Sequence, residues 1–210
     1  MRRIAQSRAN ASGFTLTELI IGVAIMGLLM AIGVPKMSDW MMATKAGGAT
    51  EFYLDGFLMA RREAVGHNAA SRIVLSQNTS NGQLDWQVDL CFPTPTAPCT
   101  AASNNWSDPA TPAADDPLGA GGYKSVLRSA SSLPAVAVIA PSVLPDGSFS
   151  VYYTAVGWVD TTVANRTTRL VLTPAAGTNI RASAIDITLA GMASRCDPTL
   201  AATDSRSCPP

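Results

Sequence analysis

Histidine and charge are both scarce in this chain, and each scarcity removes a class of function. His67 is the single histidine among 210 residues. No Gly-x-Ser-x-Gly elbow, phosphate-binding glycine loop or His-Glu-x-x-His pair accompanies it. Neither a catalytic set nor a cofactor site is expected, and no small-molecule substrate. The four cysteines lack zinc-knuckle spacing, and one histidine cannot complete a ligand set, so no metal is expected. Only 14% of residues are charged, 15 basic against 15 acidic, which excludes a generally basic nucleic-acid binder. Hydrophobic residues reach 47%, a balance usual in secreted and surface proteins. No internal repeat is visible.

What the chain does have is one long apolar run, "GFTLTELIIGVAIMGLLMAIGVP", Gly13 to Pro35. The 21 residues Phe14 to Val34 carry a single charge, Glu18. As a helix at about 1.5 Å per residue they span roughly 32 Å, enough for a hydrocarbon core of about 30 Å. A carboxylate in such a segment costs about 2.5–3.5 kcal/mol on insertion scales and so calls for a partner, unless it escapes to water at the surface. Three arginines, Arg2, Arg3 and Arg8, precede the run with no acidic residue among them, leaving 12 basic and 15 acidic residues beyond Gly13. An ordinary secretory signal fits poorly. The apolar stretch exceeds a 7–15-residue core, and "AIGVPKM" at its far end is a weak cleavage site.

The cysteines sit in two close pairs. Cys91 and Cys99 enclose a short Pro-rich loop, and Cys196 and Cys208 enclose the C-terminal tail. Disulfides 91–99 and 196–208 in an oxidising compartment are the expected pairing, with four thiols as the alternative.

Pro35 removes one helical hydrogen bond, yet the helix is expected to resume and run to about His67. Ala49, Phe52, Tyr53, Phe57, Ala60 and Ala64 recur at i+3/i+4 and form the expected core stripe. A second path holds Met37, Trp40, Met41, Thr44, Gly48, Glu51 and Asp55, and the two glycines of "KAGG" mark a candidate flexible point. Beyond residue 68 the segments "IVLS", "DWQVDLC", "AVAVIA", "FSVYYTAVGWV", "RLVLT" and "AIDITLA" read as strands. They suggest one antiparallel sheet packed on the C-terminal half of the helix. Residues 91–122 contain six prolines and little apolar matter, so they read as a surface loop in which Trp106 is exposed and Asp115–Asp116 is solvated. His67 reads as a helix-end residue rather than a base.

The stretch "GFTLTEL" resembles the class III signal of type IV pilins and of type II secretion pseudopilins: Gly13, Phe14, Thr15, Leu16, Glu18 and Leu19 match it, and Pro35 falls where those proteins kink their helix. The resemblance implies a leader, residues 1–13, removed by prepilin peptidase between Gly13 and Phe14. N-methylation of Phe14 would follow, and Glu18 would neutralise the new amine on its own chain or a neighbour's. Ala60, Arg61, Glu63, Ala64 and Asn68 extend the resemblance to the GspH/FimT family, as do Gly191, Arg195 and Cys196, although Met192 stands where that family has an arginine. The implied fold is α+β and pilin-like: a long N-terminal α-helix, its first half membrane-spanning, packed on an antiparallel β-sheet domain. The implied divisions are a 14–35 transmembrane and assembly helix, its continuation over 36–68, and a β-rich domain over 69–210.

The implied function is that of a minor pilin of the type IV pilus, priming or capping assembly, with no catalytic activity. Expected partners are prepilin peptidase, other pilins or pseudopilins, and the inner membrane, with the C-terminal domain in the periplasm and the filament tip or cell surface as destination. A type II secretion pseudopilin is one alternative. Another is a DNA-binding subunit for uptake, for which Arg181, Arg195 and Arg206 are the candidate contacts, within a stretch (166–210) holding five arginines against three aspartates.

Overall fold

The computed structural model describes residues 13–210. The expected leader therefore lies outside the described residues except for Gly13. One helix, α1 (Leu16–His67), is followed by eight strands: β1 (Ala70–Gln77), β2 (Leu84–Cys91), β3 (Val126–Arg128), β4 (Ile139–Leu144), β5 (Ser150–Tyr153), β6 (Arg169–Pro174), β7 (Ser183–Ile187) and β8 (Ala193–Cys196). The chain forms two compact units, one ending at Met41 and the other running from Met42 to Pro210.

In the first unit the helix runs through Pro35 without a break, and its apolar side chains are exposed from Phe14 to Met37. In the second, residues of α1 lie against two antiparallel four-stranded sheets, ordered β3-β2-β1-β5 and β4-β6-β7-β8. Two sheets replace the single expected sheet because no strand of one set bonds to the other. Both instead bury their inner faces around the helix. Ala49, Tyr53, Phe57, Ala60 and Ala64 are all fully buried, as their period predicts, with Ile73, Trp86 and Val88 on one sheet and Ile139, Leu170 and Ile185 on the other. Gly56 permits a close approach of helix and sheet: a Cβ there would stand 2.9 Å from Ile73 Cδ1 and 3.0 Å from the Trp86 ring. Trp86 Nε1–H donates to the Phe52 carbonyl on the same side of the helix (2.9 Å).

A buried polar group ties the sheets together. Gln83, just before β2, donates from Nε2 to the carbonyls of Pro134 and Ile139, both at 2.7 Å, and accepts from the Tyr53 hydroxyl at 3.0 Å. Burial of an amide is tolerable only when its donors and acceptor are satisfied in this way. On the second sheet, the hydroxyls of Thr50 and Ser183 hydrogen-bond at 2.7 Å and fasten the helix to β7.

Strand boundaries differ from expectation where turns interrupt apolar runs. Residues 135–138 form a turn, with Val138 N–H donating to Ala135 O, so β4 starts four residues later than "AVAVIA" suggests. The run 149–159 is a short β5 followed by a tight turn, in which Gly157 N–H donates to Thr154 O. At the end of the motif, Gly191 lies in the turn before β8, while Arg195 and Cys196 belong to β8, which pairs with β7.

Candidate functional site

At the N-terminal end, Gly13 to Thr15 are non-helical and the helix begins at Leu16. Thr15 and Glu18 bond reciprocally. Thr15 N–H and Oγ1–H donate to Glu18 Oε2 at 3.0 and 2.8 Å, and Glu18 N–H donates to Thr15 Oγ1 at 3.3 Å. This is a capping box, in which an N-cap hydroxyl and the N3 carboxylate each satisfy a backbone donor that the first turn leaves free. The sequence carries the signal of this cap as Thr-x-x-Glu, Thr15 to Glu18. The Gly13–Phe14 bond thus lies just outside the helix, while Pro35 sits exposed within it.

The two halves of the remaining motif meet in the second unit. Arg61, on α1, donates from Nε to the Gly157 carbonyl (3.2 Å). Gly191 packs against that same carbonyl so closely that a Cβ would lie 2.0 Å from the oxygen, and its φ is +76°. Only glycine fits both demands. Gly191 is thus a packing residue that joins the turn before β8 to the turn after β5. The sequence could not show it, because the partner carbonyl is more than thirty residues away.

Arg181, Arg195 and Arg206 line one cavity of about 650 Å³, together with Ala43, Ala46, Gly47 and Thr50 of the helix. Two of the guanidiniums are already paired: Arg195 with Glu51 at 2.7 Å, and Arg206 with Asp204 at 2.9 Å. The Arg206 contact holds the Asp204 carboxyl well below its ordinary value, at about 2. Asp197, which also lines the cavity, is held low chiefly by the Thr199 hydroxyl and N–H.

The Pro-rich loop is not a loosely solvated insertion. Trp106 is 7% exposed rather than projecting. It roofs a row of side chains in register across three strands, Asp89 on β2, Arg72 on β1 and Tyr152 on β5. The Arg72 guanidinium carbon stands 4.5 Å from the Trp106 ring centroid, and Tyr152 meets the ring edge-on at 5.8 Å. Asp89, its side chain 1% exposed, accepts from Arg72 Nε at 2.7 Å. The Trp106 Nε1–H finds the Thr100 carbonyl (2.8 Å), so the indole is buried with its donor satisfied. Asp116 is likewise buried, because its carboxylate accepts from the N–H groups of Leu118 and Tyr123. The sulfurs of Cys91 and Cys99 stand at disulfide distance at the base of this loop, as do those of Cys196 and Cys208 around the tail. His67 ends α1 and lies 3.4 Å from Glu63. Among the described residues no cluster of His, Cys, Asp and Glu is arranged to hold a metal.

Comparison with known proteins returns one family: residues 8–34 match the "Prokaryotic N-terminal methylation motif". No curated protein and no solved structure matches the chain. The matched segment covers the Gly13–Phe14 bond, the capping box and most of the apolar run. It implies processing by prepilin peptidase and assembly with other pilins, and α1 is long and apolar enough to anchor the chain in a membrane. The prepilin-type motif and the α+β arrangement together support a type IV pilin-like protein.

Proposed function

We propose that this chain is a minor pilin of the GspH/FimT kind, a structural subunit that primes or caps a type IV pilus. The observation that carries the reading is the methylation motif at residues 8–34, leading into an apolar helix whose only charge from Phe14 to Val34 is Glu18. Cleavage after Gly13 leaves Phe14 as the first residue. Phe14–Val34 then trades lipid for neighbouring helices in the filament core, and Glu18 neutralises an amine that would otherwise sit uncompensated in low dielectric. Secretion pseudopilins share the same features, so type II secretion is the companion reading.

The test is the number of surface pili per cell in a deletion strain, with wild-type and Glu18→Ala copies restored separately. Rescue by the wild type alone is expected. Unchanged pilus number in the deletion strain would redirect the assignment to secretion, read from the export of that system's substrates.

A second reading, DNA capture, is favoured by one observation: the three candidate arginines border a single cavity. Phosphate binding there would be sequence-independent and steeply salt-dependent. Residues 42–210 should then retard duplex DNA at about 50 mM salt and release it at several-fold higher salt. No retardation at the lower salt ends that reading.

A further inference from the structure

The geometry points to the cavity bordered by Arg181, Arg195 and Arg206 as a site for a zwitterionic phospholipid headgroup, a phosphate diester joined to a primary ammonium. The lipid comes from the membrane that holds α1, so the site rests on the membrane anchorage of the reading above and gives the anchored chain a ligand.

The basis is which charged atoms around the cavity are already spent. Each guanidinium carries several N–H donors and no acceptor. Arg195 uses Nη1 on Glu51, and Arg206 uses Nε and Nη2 on Asp204. Arg181, exposed on the same cavity, makes no ion pair or hydrogen bond among the described residues. Asp197 shows the same surplus in the opposite sign. Its Oδ1 accepts from the N–H and the hydroxyl of Thr199 (2.9 and 2.6 Å), while its Oδ2 has no hydrogen-bond partner among the described residues. Arg181 is near enough to help hold the Asp197 carboxyl low, yet the two form no ion pair. An unspent cation and an unspent carboxylate oxygen thus line one space of about 650 Å³ without closing on each other. The wall that carries Asp197 is tied down. Asp197 N–H donates to the Arg206 carbonyl (2.8 Å), Cys208 N–H donates to the Asp197 carbonyl (3.3 Å), and Cys196 and Cys208 clip the tail to β8.

Charge and chain length select the occupant. Glu51, Asp197 and Asp204 match the three arginines, so a polyanion gains little from the cavity's surroundings. A ligand carrying both signs gains at each end: its phosphate meets Arg181, and its ammonium donates to Asp197 Oδ2. The cavity wall starts at Ala43, nine residues after Val34 ends the apolar run. However those residues are arranged, they span at most about 30 Å. In an anchored chain the cavity is therefore tethered to the bilayer surface, where headgroups reach a far higher effective concentration than any free phosphate. A quaternary ammonium has no N–H to offer Asp197, and a headgroup without a cation gains nothing from it.

The experiment reconstitutes the full chain in nanodiscs of equimolar phosphatidylethanolamine, phosphatidylcholine and phosphatidylglycerol, and identifies the lipids that stay bound by native mass spectrometry. The wild type should retain phosphatidylethanolamine about 3–10-fold over either other lipid, the gain expected of a charge-assisted hydrogen bond. Arg181→Gln should lower bound lipid of every kind. Asp197→Asn keeps an oxygen for Thr199, and should erase the preference over phosphatidylcholine. Arg128→Gln, exposed on β3 and outside the cavity lining, should match the wild type. Wild-type retention in bulk proportions overturns the proposal, as does a preference for phosphatidylglycerol or an Asp197→Asn variant with its preference intact. Duplex DNA bound by the same chain and lost in Arg181→Gln, beside bulk lipid proportions, returns the cavity to the DNA reading. A chain that does not enter nanodiscs at all overturns the anchorage itself, and the headgroup site with it.

Discussion

Gly191 and Gly47 show how differently two glycines act in one domain. At Gly191 a methyl group would collide with the Gly157 carbonyl oxygen at 2.0 Å, and the +76° φ is strained for any other residue. Gly191→Ala should lower the stability of residues 42–210 by at least about 1–3 kcal/mol, read as a drop in denaturation midpoint. Around Gly47 nothing lies within 4 Å of a Cβ, and the residue is inside α1. Gly47→Ala should therefore raise stability by about 0.5–1 kcal/mol through helix propensity alone. A Gly191→Ala variant at least as stable as the wild type would overturn the packing account of the Arg61–Gly157–Gly191 contact.

The 92–125 segment is the element whose character changes most once its contacts are seen. Its composition is that of a solvated loop, yet Ser107 pairs with Leu90 through both its N–H and its hydroxyl, and Trp106 closes a small second core with Cys91 and Tyr152. One aromatic anchor among many small residues leaves no periodic trace, so composition alone does not reveal it. Trp106→Ala should cost about 3–5 kcal/mol, as for other buried large-to-small changes. Amide exchange should accelerate across 100–125 more than in α1, since the main core does not include the indole. Uniform acceleration throughout the domain would mean that the loop is part of the main cooperative unit. The helix shows the opposite case. A stripe repeating at 3.6 residues is readable in the sequence because its positions share one buried face of the helix.

For the second unit as a whole, two buried tyrosines, Tyr53 and Tyr153, and the half-buried Tyr123 limit the alkaline side of its pH range. Burial pushes the Tyr53 hydroxyl up to about 12, only partly opposed by the hydrogen bond from Leu84 N–H, and it raises Tyr123 and Tyr153 as well. In the unfolded chain these groups ionise near 10. Their contribution is thus complete below pH 10 and is lost as the pH climbs toward the folded values. The thermal midpoint of residues 42–210 should hold steady from pH 7 to about 9.5 and fall above 10, with tyrosinate absorbance rising together with unfolding. Tyrosinate from Tyr53 and Tyr153 near pH 10 in a folded domain would contradict their burial. On the acid side Asp108, Asp197 and Asp204 are held low by hydrogen bonds to their own turns, first from Thr111, Thr199 and Arg206 respectively. These carboxylates support their turns above about pH 4 and release them as the pH falls.

Much of this protein was decided by local chemistry that any reader of the chain can follow. An apolar run of membrane-spanning length, a glycine before Phe14, one carboxylate four residues on, and a helical stripe from Ala49 to Ala64 need no distant partner to have meaning. Hydrophobic length and periodicity act along the chain, so they are legible along it. Tertiary structure alone decided that the strands divide into two sheets, that Gln83 bridges them, that Trp106 roofs the Arg72–Asp89 pair, and that Gly191 must be a glycine. Each of these depends on atoms brought together from separate stretches of chain. A buried polar group or a forbidden Cβ is defined by what surrounds it in space.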